Sequence, residues 1–405
     1  MIGGLKMSSR FLSMAATTLF VGGVALTPVH AADLGGDCCA DLEERVAELE
    51  ATTVRKGNRK VSLELSGQVN TALLIWDDGS DTDVFIVDNE NSNTRFRFKG
   101  GAKIKPGWTA GFLVELDIDG HANSSGVSQD DPVGGAGEQG DILELRHADI
   151  YVKTPYGKIS LGQGDTASNG TSEVDLSGTS VAGYSGTTDI GSSFAFILST
   201  GVTTGVTKGM VQSNLDGLNR DNRIRYDSPT IAGFILSSSF GENDQYDVVL
   251  RYKNKLGDFK FAGAIAYSEQ DDTTAGTAGE RETVNGSVSL FHIPTGLNFT
   301  FAAGDRDDDA GTCATCEQTF YYGKVGIKRK INSLGSTAFA VDYGSYDEFG
   351  GTTYDSTHVG IQLVQKVDAA AMELYFAWSY DELEISGGTD PEELNFFLLG
   401  SRIKF

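Results

Sequence analysis

Residues 61–76, VSLELSGQVNTALLIW, carry an apolar side chain at nearly every odd position, Val61, Leu63, Leu65, Val69, Leu73 and Ile75, with Ser62, Glu64, Ser66, Gln68 and Asn70 between them. Successive side chains leave a pleated strand on opposite faces, so a period of two marks a β-strand with one greasy face. The run is longer than the roughly five or six residues of an ordinary soluble strand. A tilted strand crossing a bilayer needs about 9–11 residues, one face toward lipid and the other toward water.

The alternation recurs. TRFRFKGG sets Phe96 and Phe98 against Arg95, Arg97 and Lys99, and WTAGFLVELDID (108–119) sets Trp108, Phe112, Val114, Leu116 and Ile118 against Glu115, Asp117 and Asp119. Further strands are expected near 141–153, 158–164, 220–228, 232–240, 246–253, 259–268, 282–292, 297–303, 320–329, 336–345, 356–367, 371–382 and 394–405, sixteen in all, with 77–93 as a polar loop after the first. An even number returns both ends of a barrel to one side of the membrane. In ELRHADIYVK (144–153) the parity that suits Leu143 and Leu145 would also turn Asp149 outward, so a β-bulge is expected to reset the register there.

Connections alternate in length. Short ones at 105–107, 154–157, 228–230, 254–258, 294–296, 332–335 and 368–370 separate long, acidic, glycine-rich ones at 120–140, 269–281, 304–319 and 383–393. Short turns on one rim and long loops on the other fit an all-β, transmembrane, antiparallel 16-stranded barrel in the outer membrane, among phospholipid and lipopolysaccharide. Trp108, Tyr226, Phe240, Tyr252, Tyr267, Tyr343, Trp378, Tyr380 and Phe405 fall near strand ends, where amphipathic rings settle at headgroup depth.

Ahead of the barrel, Lys6 and Arg10 precede the apolar run 11–26 and a small-residue stretch ending at Ala31 and Ala32, a signal peptide cut between those two residues. Residues 32–60 form a periplasmic segment in which Leu42, Val46, Leu49 and Thr53 space out a short coiled-coil-like seam on an α-helix. That seam either joins protomers or docks on the barrel mouth. The formal charge of −24, or −26 once Lys6 and Arg10 leave with the leader, excludes nucleic acid as a natural partner.

Little here resembles catalysis. Beyond His30 in the leader, the histidines are His121, His147, His292 and His358, and none sits in a nucleophile or metal motif. Cys313 and Cys316 read as a loop-tying disulfide, since no further zinc ligands lie nearby, and Cys38 and Cys39 could link protomers. The run Asp305, Asp307, Asp308, Asp309 has near calcium-loop spacing, but Ala310 stands where glycine is needed, so it reads as a solvated loop tip. No cofactor and no resident metal is expected.

The segment RHADIYVKTPYGKISLGQGD (146–165), the N-terminal stretch DLEERVAELEATTVRKGNRKVSLELSG and the terminal Phe405, in parity with Phe397, Leu399 and Ile403, together resemble the general-diffusion porins of the alphaproteobacterial outer membrane. The resemblance implies a trimeric channel for small hydrophilic solutes, Phe405 as the signal read by the barrel-assembly machinery, and a third loop, 165–219, folded into the lumen. On that view Asp165, Glu173, Asp175 and Asp189 of the loop face a basic wall of Arg95, Arg97, Lys99, Arg146, Arg223 and Arg225 at the narrowest point. The mature Ala32-Asp33 end is also similar to termini that some such barrels join covalently to peptidoglycan. The apolar stretch SSFAFIL (192–198) is expected to pack the loop base on the wall, and the acidic outer loops lean the channel toward weak cation preference.

Overall fold

A computed structural model describes residues 61–118, 122–134, 142–242, 244–272, 279–308 and 317–405. The cleavage residues Ala31 and Ala32, the N-terminal helix, Cys38, Cys39, Cys313 and Cys316 lie outside the described residues. No described helix is long and apolar enough to cross a membrane.

The wall begins with β1 (Ser62–Asp77), β2 (Thr82–Asp88), β3 (Arg95–Lys105), β4 (Trp108–Ile118), β5 (Leu143–Thr154) and β6 (Gly157–Asp165). Residues 166–219 then enter the lumen, carrying a small hairpin of β7 (Ala195–Ile197) and β8 (Thr203–Thr207) and a single helical turn, α1 (Lys208–Val211). Next come β9 (Arg220–Asp227), β10 (Phe234–Phe240), β11 (Tyr246–Leu256), β12 (Phe259–Asp272), β13 (Gly279–His292), β14 (Leu297–Asp308) and β15 (Glu317–Arg329). The circuit ends with β16 (Thr337–Asp347), β17 (Tyr354–Val367), β18 (Met372–Ile385) and β19 (Leu394–Lys404).

Wall strands pair antiparallel in sequence order, except that β6 pairs with β9 across the inserted segment and β2 and β3 both pair with β1, and β19 closes on β1 with Leu73 opposite Leu399. Among the described residues seventeen strands fill sixteen positions, because β2 and β3 occupy one position in succession. β2 pairs with the upper part of β1, ending at Thr71 opposite Asp88, and β3 with the lower part, starting at Gln68 opposite Arg95. Closure matters because an open edge in lipid would strand backbone N–H and C=O groups. The last residue completes the seam: Gly67 and Phe405 exchange backbone hydrogen bonds of 2.9 and 3.0 Å, and the Phe405 ring lies so close over Gly67 that a Cβ there would meet it at 2.6 Å.

The predicted parity holds along the wall. Leu65, Val69, Leu73 and Ile75 of β1 are exposed on the outer face, while Asn70, Ala72, Leu74 and Trp76 are buried inward. Two expectations need correction. The supposed polar loop 77–93 contains β2, whose TDVFIVD puts Val84 and Ile86 outside but Phe85 and Val87 inside, so both faces are apolar and the alternation is hidden. β14 also runs past 303 to Asp308, placing Asp305 opposite Val284 and Asp307 opposite Glu282, so these two carboxylates belong to a strand rather than a loop tip.

The expected bulge occurs where Glu115 faces His147 and the next residue, Leu116, faces Leu145. Arg146 is the extra residue. Because a bulge inserts one residue without reversing the faces on either side, Arg146 and His147 both turn inward in succession.

Candidate functional site: a pore constriction

The 166–219 segment is laid along the inner wall and fastened at intervals. Near its start, Ala167 N–H donates to Ser239 Oγ (2.9 Å), Ser168 N–H to Asp247 Oδ2 (2.7 Å), and Arg251 Nη2 donates to the carbonyls of Ala167 and Asn169 (2.7 Å each). Further on, Val174 and Leu176 donate from their backbones to Ser287 and Ser289 of β13 (2.9 and 3.0 Å). Lys324 of β15 reaches Asp175 (3.0 Å) and the Gly183 carbonyl (2.7 Å). Small hydroxyls facing inward on β10 and β13 thus receive backbone N–H groups that would otherwise be stranded against the wall.

The second half is held by a buried charged cluster and an apolar one. Lys208 Nζ lies 2.9 Å from Asp381 Oδ2 and donates to the Ile190 carbonyl (3.0 Å), while His358 Nδ1 meets Asp381 Oδ1 at 2.7 Å. Phe194 and Phe196, from the apolar stretch in the loop, are wholly buried. The Phe194 ring sits 5.2 Å from Trp76 and 5.0 Å from Phe396, in the tilted and edge-on geometries favoured by ring quadrupoles. Leu74, Phe85, Val87 and Leu398 complete this cluster, which explains why inward positions of β1, β2 and β19 are apolar where a porous lumen would be polar.

Between the folded loop and the wall lies a polar cavity of about 570 Å³. The wall contributes Arg95, Arg146, Arg220 and Arg306, together with Glu90 from the short 3-10 turn between β2 and β3, and the loop contributes Glu173, Asp189 and Asp216. On the basic side, Glu115 is shared by three guanidiniums. Arg95 Nη1 lies 3.2 Å and Arg146 Nε 3.0 Å from Glu115 Oε1, and Arg97 pairs with Oε2; Arg146 also reaches Asp117 Oδ2 at 3.3 Å. Charge-assisted pairing of this kind fixes long side chains in one geometry.

On the acidic side, Tyr184 Oη donates to Asp189 Oδ2 (2.6 Å), and Asn214 Nδ2 to Glu173 Oε1 (3.2 Å). Asp216 accepts from the backbones of Gly170 (2.5 Å) and Ser172 (2.8 Å). Burial pushes both Asp189 and Asp216 up to about 6, against the lowering effect of those hydrogen bonds. Glu173 is raised well above the ordinary carboxyl range, first by burial and then by the charges of Asp216 and Asp189.

Of the ten charged residues singled out in the sequence, the structure brings Arg95, Arg146, Glu173 and Asp189 together in the passage. Arg97 stands beside them on Glu115, and Lys99 is exposed further toward the short-turn rim. Arg223 is instead buried, paired with Asp149 (2.7 Å) and donating to the carbonyls of Asp165 (2.9 Å) and Gly162 (2.8 Å). Arg225 binds the Thr166 carbonyl (2.7 Å) and Asp227 (2.8 Å), so these two arginines hold the start of the loop. Asp165 pairs with Arg220 (3.0 Å) and Asp175 with Lys324 (3.0 Å), so both are fastened to the wall. Sequence reading missed Glu90, Asp216, Arg220 and Arg306. Glu90 and Arg306 sat in segments taken for loops, and Asp216 and Arg220 flank the loop exit, where Leu215 and Asn219 adopt positive φ (46° and 55°) and no periodicity signals position.

A closed membrane barrel with a loop folded across its lumen defines an outer-membrane channel. Residues 16–385 match the family described as Gram-negative porin, and the chain belongs to that family. The anion-selective porin of Comamonas acidovorans is similar in structure at 15% identity and a TM-score of 0.58, covering 85% of this chain and 100% of that one. The outer membrane channel DcaP of Acinetobacter baumannii is similar at 12% identity and a TM-score of 0.57 (87% and 99%), and a trimer form of Vibrio cholerae OmpT at 13% and 0.54 (85% and 99%). At these identities the likeness is one of fold. No curated protein matches the sequence.

Proposed function

We propose that the protein is a general-diffusion porin of the alphaproteobacterial type, a homotrimer passing small hydrophilic solutes and ions without chemistry. The observation that carries this reading is the passage itself, with Arg95 and Arg146 on one side and Glu173, Asp189 and Asp216 on the other. Opposed charges across a narrow, water-filled gap orient dipolar solutes and penalise apolar ones, whose passage would strip water from those groups. Arg95, Arg97 and Arg146 form the basic face, with Lys99 toward the short-turn rim; Arg223 and Arg225 hold the start of the loop, Asp165 at the end of β6 pairs with Arg220, and Asp175 fastens the loop to Lys324.

Weak cation preference follows from the acidic outer loops that cations meet first. Attachment to peptidoglycan through the Ala32 terminus is read by mass spectrometry of lysozyme-digested envelope, and an N-terminal peptide that is always unmodified would exclude it. Swelling of proteoliposomes in uncharged sugars of rising size tests the central reading. Rates that fall smoothly with solute size and do not saturate are expected; saturation by one solute class would make it a substrate-specific channel, and no swelling at all an envelope-anchoring barrel.

A further inference from the structure

Charge is segregated along the lumen. Toward the short-turn rim, the inward parity carries Lys99 on β3, Lys153 on β5, Lys253 and Lys255 on β11 and Lys260 on β12. Each shares its face with a residue whose inward position is fixed by a contact: Arg95 with Glu115, Asp149 with Arg223, Arg251 with the pore loop, and the buried Ala262 and Ala264. Lys153 stands directly opposite Lys158, and Lys255 directly opposite Lys260. Like charges opposed across a strand pair cost stability. Their counter-charges nearby are fewer: Glu64 stands opposite Lys99, Asp227 pairs Lys158 at 3.3 Å, and Glu373 is taken by Lys366, Arg402 and Lys404.

Beyond the constriction the sign reverses. A second cavity of about 380 Å³, on the long-loop side where β4 ends and β5 begins, adds Asp88, Asp117 and Glu144 to Glu90 and Asp189 of the constriction; Asp117 is met by Arg146, and Asp88 accepts from the Asn89 and Thr94 backbones. The passage therefore joins a cation-collecting vestibule to an anion-collecting one.

We infer that the channel is an ionic rectifier, which rests on the channel reading above and adds a direction to it. When the long-loop side is positive, cations enter through the acidic vestibule and anions through the basic one, and both accumulate at the junction. Under the reverse polarity both are drawn away and the junction is depleted. Conduction is then greater with the long-loop side positive. The effect fades once the Debye length falls below the lumen radius, since salt then screens the fixed charge.

The test is the current–voltage curve of the full chain in a planar bilayer, with KCl at about 0.1 M and about 1 M, where screening lengths are about 10 Å and about 3 Å. Orientation is read from the chamber in which a bulky thiol reagent modifies a Ser386→Cys variant, in the connection between β18 and β19, with Cys38, Cys39, Cys313 and Cys316 replaced by serine. The expected result is a current ratio of at least about 1.5 favouring the predicted polarity at low salt, falling toward one at high salt. A Lys153→Gln, Lys253→Gln, Lys255→Gln, Lys260→Gln variant, which leaves the constriction untouched, should lose the asymmetry. Conductance with a symmetric curve at low salt, or with the opposite polarity, would overturn the inference while leaving the channel reading intact. Absence of conductance would overturn the channel reading itself, and rectification with it.

Discussion

The Lys324 ammonium lies 3.0 Å from Asp175 Oδ2, joining the wall strand β15 to the loop that narrows the lumen. Both side chains are buried, and burial would raise the carboxyl were it not for the ammonium and Ser177, which hold Asp175 below the ordinary range. Removing one partner of a buried pair leaves the other charge uncompensated, typically at about 3–5 kcal/mol. Lys324→Met is therefore expected to loosen the loop, giving larger and noisier single-channel steps. The double variant with Asp175→Leu should restore quiet conductance, and unchanged steps in the single variant would contradict this role.

The aromatic contact on the far side of the loop makes a separate prediction. Phe194→Ala removes a ring packed between Trp76 and Phe396, and large-to-small changes at such sites cost about 3–5 kcal/mol. Because the barrel ladder is untouched, the loss should appear as local opening, read as faster proteolysis or hydrogen exchange of residues 190–207 with heat-resistant migration of the barrel retained. Wild-type protection in that segment would show that the cluster does not hold the loop.

Selectivity should respond to the basic face. Neutralising Arg95 and Arg97 together leaves Glu115 with Arg146 alone among the three guanidiniums that share it. Cation preference is expected to rise, measured as the reversal potential in a salt gradient. No shift would contradict the placement of these residues at the narrow point.

Acid should act oppositely. With Asp189 and Asp216 both raised to about 6 by burial, each is mostly ionised above that pH and mostly neutral below it. Lowering the pH from about 7.5 to about 5 removes negative charge from the passage while the arginines keep theirs, so cation preference falls. An Asp189→Asn, Asp216→Asn variant should show a flatter pH response; a wild-type reversal potential independent of pH over that range would contradict the assignment.

Much of the wall was legible because lipid and water impose opposite demands on neighbouring residues, as in Leu73 outside and Leu74 inside on β1. Even the bulge at Arg146 could be read, since parity failed locally in a stretch whose flanks were regular. The rule broke where an inward face is covered by protein instead of water: Phe85 and Val87 made β2 look aperiodic. Within the loop no periodicity exists, so charge alone could not separate Asp175, consumed by Lys324, from Asp189, which faces the passage. The arginines divided for the same reason. Arg95 and Arg223 share inward parity, but Asp149 and two carbonyls bury the second, partners that depend on pairings across β5, β6 and β9.

A porin needs a continuous aqueous path through the cylinder past the folded loop. Planar-bilayer recording of the purified, detergent-solubilised protein tests it directly. Stepwise conductance increments that scale with KCl concentration and occur in groups of three are predicted. A protein that inserts and keeps its heat-resistant barrel yet passes no current would contradict it.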